Sequence, residues 1–176
     1  LKLINEKDFK FCWIVDFPLF EYSREEKRYK SVHHPFTMPN VENFTDKKLA
    51  FNEKSKSIAY DVVLNGVEIG GGSIRIHDSE IQEKVFDILK LTKKDAREKF
   101  GFLLDALSYG APPHGGIALG FDRIVQIILG EESIREAIAF PKNKEAKDVM
   151  LNSPSSVSQK QLKEIGIKID SKKNKK

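Results

Sequence analysis

The sequence predicts an α+β fold in which an antiparallel β-sheet is flanked by helices. Segments rich in β-branched and aromatic residues fill the first half, and helical apolar periodicity dominates the second half. Asn65-Gly66 separates two short apolar runs, and this dipeptide is typical of a two-residue hairpin turn. Between Gly115 and Gly130, a short apolar strand passes through a glycine turn into a helix.

The chain starts with aromatic and β-branched segments that indicate strands. Residues 11–22 form one such segment, and Pro18 within it predicts an edge or a bend. Residues 29–36 are expected to return as its partner strand, whereas residues 40–57 are polar and indicate a surface loop with some helix. Cys12 is the only cysteine, which excludes an intrachain disulfide and fits a reducing compartment. Its apolar neighbours favour a packed position.

The Asn65-Gly66 hairpin fixes which residues share a face. A two-residue turn pairs Leu64 with Val67 and Val63 with Glu68, and it places Asp61 opposite Gly70. Asp61 and Glu68 are then diagonal neighbours about 7–8 Å apart at Cα, on one face of the hairpin. Two converging carboxylates favour a cation between them. The face assigned to the core carries four apolar residues: Val62, Leu64, Val67 and Ile69.

Farther along the second strand, the apolar residues change from odd to even positions, at Ile74 and Ile76. The strand can keep its apolar residues on one core face through this change only if it contains an extra residue. We expect this β-bulge at Gly70-Gly71-Gly72. The bulge turns Arg75 onto the face of the two carboxylates, into a cavity beside Glu68. The alternative is a glycine-weakened strand with a surface arginine.

Helices follow the hairpin. Ser79 with Gln82 predicts a capping box for a first amphipathic helix. A second helix is expected to begin at Thr92, to be interrupted at Gly101 and to end before Gly110. Nearer the C-terminus, a short helix is expected from Ser133 to Glu136, and a last helix over residues 158–165 ends at Gly166.

The strand–turn–helix unit places a cation where a helix disfavours one. Residues 117–119 are predicted to form a buried strand, and Arg123 then lies in the first turn of the next helix. A cation there opposes the helix dipole unless both face the same anion, such as a phosphate. The alternative is a surface arginine on an ordinary amphipathic helix.

These side chains favour acid activation by ATP. Asp61 and Glu68 suit Mg²⁺, which takes carboxylates together with substrate phosphates. Arg123 suits a triphosphate, and Arg75 offers a fork for a carboxylate. No set of residues typical of nucleophilic catalysis is evident. The His33-His34 pair before a proline favours a structural role over a zinc site.

Five segments, in order, resemble the bacterial-type aspartyl-tRNA synthetases, which belong to the class II aminoacyl-tRNA synthetases. The last of them is similar to the third signature motif of that class, whose arginine contacts ATP. The resemblance runs from about residue 11 to residue 167. The five segments are residues 16–22, 33–37, 60–77, 99–105 and 116–123.

The resemblance implies roles for single residues. Asp61 and Glu68 hold Mg²⁺ with ATP, and Arg75 recognises the aspartate side chain. A histidine matching His33, or alternatively His34, helps to bind the amino acid. ATP is held by Glu68 and by the motif residues Gly120, Phe121, Asp122 and Arg123, with Arg123 as the catalytic residue. The implied reaction forms aspartyl-adenylate and pyrophosphate, and then transfers aspartate to the 3′ end of tRNA-Asp.

The resemblance also implies what this chain lacks. The family's first two motifs, its anticodon-binding domain and its insertion domain have no counterpart here. We expect residues 1–170 to be the C-terminal portion of the catalytic domain and to be inactive in isolation. The full-length enzyme is expected to be a cytoplasmic homodimer. Two alternatives are a synthetase paralogue for a related acid such as asparagine and a non-catalytic interaction or RNA-binding module.

The composition limits which partners and which membrane or targeting segments the chain can be expected to have. The chain has 176 residues and a formal charge of +4, and four lysines lie in residues 171–176. The remainder therefore carries 26 basic and 26 acidic residues, so the net charge is weak support for an RNA partner, and the tail is expected to be disordered. No apolar run reaches membrane-spanning length, and no signal-peptide pattern is evident. The absence of an initial methionine suggests a piece of a longer protein.

Overall fold

The computed structural model of the chain describes residues 8–40 and 52–169. The chain divides into two compact units, Leu1–Ile124 and Val125–Lys176. All of the predicted functional residues belong to the first unit. Most of the loop predicted over residues 40–57, and the basic tail, lie outside the described residues.

The first unit contains a four-stranded antiparallel sheet, as predicted. Its strand order is β1 (Phe11–Val15), β4 (Ala59–Leu64), β5 (Val67–Arg75) and β6 (His114–Leu119). A separate hairpin pairs β2 (Phe20–Ser23) with β3 (Arg28–Ser31). The predicted first strand is thus broken into β1 and β2 around Pro18, which forms only an isolated bridge with Lys56.

The β4–β5 hairpin has the predicted turn and a bulge at a different residue. Asn65 and Gly66 both have positive φ, 50° and 83°. Val63 pairs with Glu68 as predicted, but Val62 pairs with Gly70, so Ile69 is the extra residue. The predicted bulge at residues 70–72 is therefore wrong in position, because those glycines pair in an unbroken ladder. Its effect on the strand's faces is as predicted, but Asp61 opposes Gly71 instead of Gly70.

Several burial predictions are confirmed, and three are wrong. Ile69 and Ile76 are buried, and Ile74 packs against the core. Val67 is 41% exposed because it lies at the tip of the hairpin. Cys12 is exposed on β1, and β6 is exposed along its whole length instead of buried, since both are edge strands of this sheet.

Two helices follow the sheet's central hairpin. Helix α1 (Ser79–Ile88) is capped by Asp78, whose side chain accepts hydrogen bonds from the backbone of Glu80 and Ile81. The predicted Ser79 capping box is therefore wrong, and the Gln82 amide instead donates to the carbonyl of Pro35 at 2.9 Å. Helix α2 (Lys93–Ser108) begins after Thr92 as predicted but is not interrupted at Gly101.

The helices build a core against the end of β5 and the β2–β3 hairpin. One buried cluster joins strand, hairpin and α1 residues: Leu19, Phe20, Met38, Ile76, Ile81, Val85 and Leu89. A second cluster joins α1 to α2 through Phe36, Phe86 and Ala96. The segment around Phe36 is thereby held beside the end of β5, where the backbone of Ile76 donates to the carbonyl of Phe36 at 2.8 Å.

Helix α3 (Phe121–Leu129) follows β6 and ends at Gly130, whose φ is 71°. In the second unit, a short 3-10 helix spans Ile134–Glu136, and α4 (Gln159–Glu164) is capped by Ser158 in a capping box. Both were predicted. None of the helices in the described ranges is long and apolar enough to cross a membrane.

Candidate active site

One face of the sheet collects the predicted site residues. Because side chains alternate along a strand, Asp61 and Val63 share a face, and Val63 pairs with Glu68. Beyond the Ile69 bulge, Gly71 opposite Asp61 lies on this face too, and alternation brings Arg75 to it. On the next strand, Ala118 pairs with Gly71 and His114 pairs with Arg75. Without the bulge, Arg75 would point to the other face.

The glycines of β5 leave space on this face and between strands. A Cβ on Gly71 would overlap the Asp61 carboxylate, and one on Gly72 would overlap the carbonyl oxygen of Gly116. Neither glycine has a positive φ, so the requirement is for space and not for backbone freedom. The carboxylate of Asp61 therefore rests over bare backbone.

Asp61 and Glu68, the predicted Mg²⁺ ligands, are not neutralised by a described cation. Neither Asp61 nor Glu68 forms a salt bridge with another described residue. Within residues 8–40 and 52–169, no group of three or more His, Cys, Asp or Glu side chains is arranged for a metal. Two carboxylates alone suit Mg²⁺, which commonly keeps water and phosphate oxygens as its other ligands.

Backbone contacts tie the start of α3 to this acidic pair. The backbone N–H of Gly120 donates to the carbonyl of Ile69 at 2.7 Å. The Arg123 guanidinium donates a hydrogen bond to the carbonyl of Glu68, the residue before Ile69. Two carbonyls at the bulge therefore place Arg123 beside the predicted metal ligands. Phe121, also predicted to bind ATP, is 75% exposed, and Asp122 is exposed in the first turn of α3.

Arg75 lies at the far end of the strand, in a small cavity of about 200 Å³. Its Nη1 atom is buried and has no hydrogen-bond partner among the described residues. The prediction that Arg75 lies beside Glu68 is wrong, because seven residues of extended chain separate their Cα atoms by about 20 Å. The cavity is lined by His34, Phe36, Arg75, Ile76, Leu103, Leu107 and His114.

Of the two adjacent histidines, His34 lines the cavity that contains Arg75. The backbone N–H of Phe36 donates to Nδ1 of His34 at 3.2 Å, which places the ring proton on Nε2. Desolvation of the ring, which packs on Phe36, lowers the pKa of His34, and the Arg75 charge lowers it further. His33 instead stacks edge-on against Phe17, with ring centroids 4.7 Å apart.

His114 is a site residue that the sequence analysis missed. It pairs across the sheet with Arg75 and lines the same cavity. Its Nδ1 lies 2.9 Å from the carbonyl oxygen of Pro112, which only accepts, so Nδ1 carries the proton. The available signal was its position just before Gly115 at the start of β6, which faces the end of β5.

Comparisons with known proteins give relatives that all belong to one group of tRNA synthetases. Residues 1–144 match the family of tRNA synthetases class II (D, K and N). An aspartate–tRNA ligase from Enterococcus faecalis is 57% identical over 173 residues, covering 96% of this chain. An aspartate–tRNA(Asp/Asn) ligase from Endomicrobium trichonymphae is 56% identical over 165 residues, covering 94% of this chain. The chain spans 28% of the length of each of these relatives.

Solved structures share the fold at lower sequence identity. The aspartyl-tRNA synthetase from Entamoeba histolytica superposes with a TM-score of 0.56 at 24% identity, covering 78% of this chain and 23% of that one. An asparaginyl-tRNA synthetase from the same organism, in complex with asparaginyl-adenylate, gives 0.56 at 22% identity, covering 78% and 26%. Since the family match covers most of the sequence, the chain belongs to the class II tRNA synthetases of the D, K and N group.

Proposed function

We propose that this chain forms part of the activation site of an aspartate–tRNA ligase. The observation that carries the proposal is the buried, unpartnered Nη1 of Arg75 in a small cavity on the face that also bears Asp61 and Glu68. A buried guanidinium nitrogen without a partner is costly, and a substrate carboxylate would satisfy it. The names of relatives at 53–57% identity support aspartate as the substrate.

The amino-acid end of the site is the Arg75 cavity. Arg75 offers parallel donors that match the two oxygens of a carboxylate. His34, neutral with its proton on Nε2, offers one more donor without adding charge. A cavity of about 200 Å³ suits a small acid better than a long side chain. These residues bind and orient the aspartate side chain.

The nucleotide end is the far end of the same face. Arg123 and the start of α3 face the triphosphate, and Asp61 and Glu68 would hold Mg²⁺. Mg²⁺ bound there would neutralise phosphate charge. Between the two ends, the face is nearly bare, because Gly71 and Ser73 carry little or no side chain. That strip gives the reacting groups room to meet.

In the proposed reaction, an oxygen of the aspartate α-carboxylate attacks the α-phosphorus of ATP. The bond from that phosphorus to the bridging oxygen breaks, and pyrophosphate leaves with the electron pair. The 3′-terminal hydroxyl of the tRNA then attacks the carbonyl of aspartyl-adenylate, and AMP leaves. In-line attack by a carboxylate needs no protein nucleophile, so this chain's contribution is positioning and charge stabilisation.

Activity requires more than this chain. It spans 28% of the relatives' length, so the full-length protein supplies the remaining parts, and the isolated chain is inactive. We further propose that the full-length enzyme is a cytoplasmic homodimer that charges tRNA-Asp. The relatives' names favour a second candidate activity as well, charging of tRNA-Asn with aspartate.

The test is ATP–pyrophosphate exchange by the full-length protein with aspartate, asparagine or lysine as the amino acid. Aspartate-dependent exchange supports the proposal, because an amide or an amine leaves Arg75 without its anion. Exchange driven by asparagine or lysine but not by aspartate would overturn it. Aminoacylation of tRNA-Asp and tRNA-Asn transcripts in parallel then separates the two candidate RNA specificities.

A further inference from the structure

A second cavity lies on the other side of the segment that contains His33 and His34. It measures about 510 Å³ and is lined by His33 and Pro35, whereas His34 and Phe36 line the Arg75 cavity. Alternate residues of this short segment therefore line two different cavities. The second cavity is also bordered by β3, the end of α1 and the first turns of α2.

Four cationic side chains from these three elements line the second cavity: Arg28, Lys30, Lys90 and Lys99. Two of them share one acid, since Glu26 contacts Arg28 at 2.5 Å and Lys30 at 2.6 Å. Lys90 and Lys99 form no salt bridge with a described residue. Among the charged residues that line the cavity, these four cations face one acid, Asp95, whereas the chain without its tail carries equal numbers of basic and acidic residues.

The acid in this cavity is already engaged. The hydroxyl of Thr92 donates to Asp95 at 2.6 Å, and the same pair caps α2. Asp95 therefore serves the start of the helix, and its charge offsets only part of the lysine charge. A concave surface with excess cations from three elements suits an anion with several charges.

We propose that this second cavity binds backbone phosphates of the RNA substrate near its 3′ end. The inference rests on the proposed function, which requires the RNA 3′ end to reach the aspartate bound at Arg75. The chain brings the two cavities within one residue of each other, through His33 and His34. Lysine and arginine contacts to phosphates position a nucleic acid without reading its sequence. Lys90 and Lys99, which form no salt bridge with a described residue, would make these contacts.

The test uses the full-length protein with Lys90 and Lys99 both changed to glutamine. Binding of a tRNA-Asp transcript is measured by fluorescence anisotropy between about 50 and 200 mM salt. Each lost phosphate contact should reduce the slope of log K against log salt by about 0.7–0.9, with a several-fold loss of affinity at the low-salt end. Lys94→Gln, on the same helix but outside the cavity, is the matched control.

Two further measurements keep the outcomes distinct. ATP–pyrophosphate exchange with aspartate needs no RNA, so it should match wild type in the double variant and should report correct folding. Arginine at both positions should retain the wild-type salt slope. A double glutamine variant with the slope and affinity of the Lys94→Gln control would overturn the proposal. So would weakened binding of polyglutamate with unchanged RNA binding, which would assign the cavity to an acidic protein. If the wild-type protein showed no aspartate-dependent ATP–pyrophosphate exchange, that result would instead contradict the proposed function.

Discussion

The Arg123 guanidinium donates a hydrogen bond to the backbone carbonyl of Glu68, while the Glu68 side chain faces the predicted metal site. The next residue, Ile69, is the bulge, and its carbonyl accepts a hydrogen bond from the backbone N–H of Gly120. The predicted phosphate-binding cation and a predicted metal-binding carboxylate therefore lie around one local irregularity of β5.

Glu68→Gln in the full-length enzyme should weaken the Mg²⁺ dependence of pyrophosphate exchange. The amide keeps the size and the backbone contact of Glu68 but removes the charge that suits Mg²⁺. Exchange measured across a Mg²⁺ titration should show a higher half-saturating concentration, with unchanged thermal unfolding. Glu80→Gln, on the exposed start of α1, is the control, and an identical Mg²⁺ titration for both variants would remove the metal role.

Arg123→Ala should impair ATP use far more than aspartate binding. A hydrogen bond to a charged group contributes about 1.5–3 kcal/mol, so adenylate formation should fall by at least about tenfold. Stopped-flow measurement of adenylate formation gives the effect on ATP, and equilibrium binding gives the effect on aspartate. Wild-type values for both would make Arg123 an ordinary surface residue.

Gly71→Ala should disturb Asp61 without unfolding the sheet. The added methyl group would overlap the Asp61 carboxylate, which must rotate away from its position on the face. We expect a higher Mg²⁺ requirement, like that of Glu68→Gln, and only a small loss of stability. Gly101→Ala, on helix α2, is the control, because a Cβ there makes only ordinary contacts of 3.7 Å or more. Equal Mg²⁺ requirements in the two alanine variants would contradict this reading.

His34 should titrate below its ordinary pKa of 6.5, since desolvation and Arg75 both lower its pKa. Its contribution to stability is therefore present above pH 6.5 and is lost as the pH falls through the folded-state pKa. In Arg75→Gln the pKa of His34 should rise but stay below 6.5, because desolvation is the larger cause. Histidine-selective NMR, assigned with His34→Asn, measures it. A pKa above 6.5 in wild type would contradict the neutral His34.

The sequence was sufficient to predict the relations set by local pattern. Asn65-Gly66 fixed the first two pairs of the hairpin, and the change of apolar parity required a bulge. It did not locate the bulge, because Ile69 and the following glycines satisfy the same parity argument. In the structure Gly70 pairs with Val62 and with Leu119, and a Cβ on it would overlap the carbonyl of Ala118.

The sequence did not predict the relations that depend on packing between distant segments. The Gln82 side chain contacts Pro35, far away in sequence, whereas the cap of α1 is formed by Asp78. Which histidine lies beside Arg75 depends on how the segment lies against β5, because His33 and His34 are equivalent in the sequence pattern. His114 entered the site only through its pairing with Arg75 on the neighbouring strand.

The most direct test of the account is the aspartate KM of Arg75→Lys in the full-length enzyme. Lysine keeps the charge but loses the fork, so the aspartate KM should rise sharply, while the ATP KM changes much less. Arg97→Lys, an exposed arginine paired with Asp105, is the matched control and should behave as wild type. An Arg75→Lys enzyme with a wild-type aspartate KM and unchanged discrimination against asparagine would contradict the central claim that Arg75 selects the substrate.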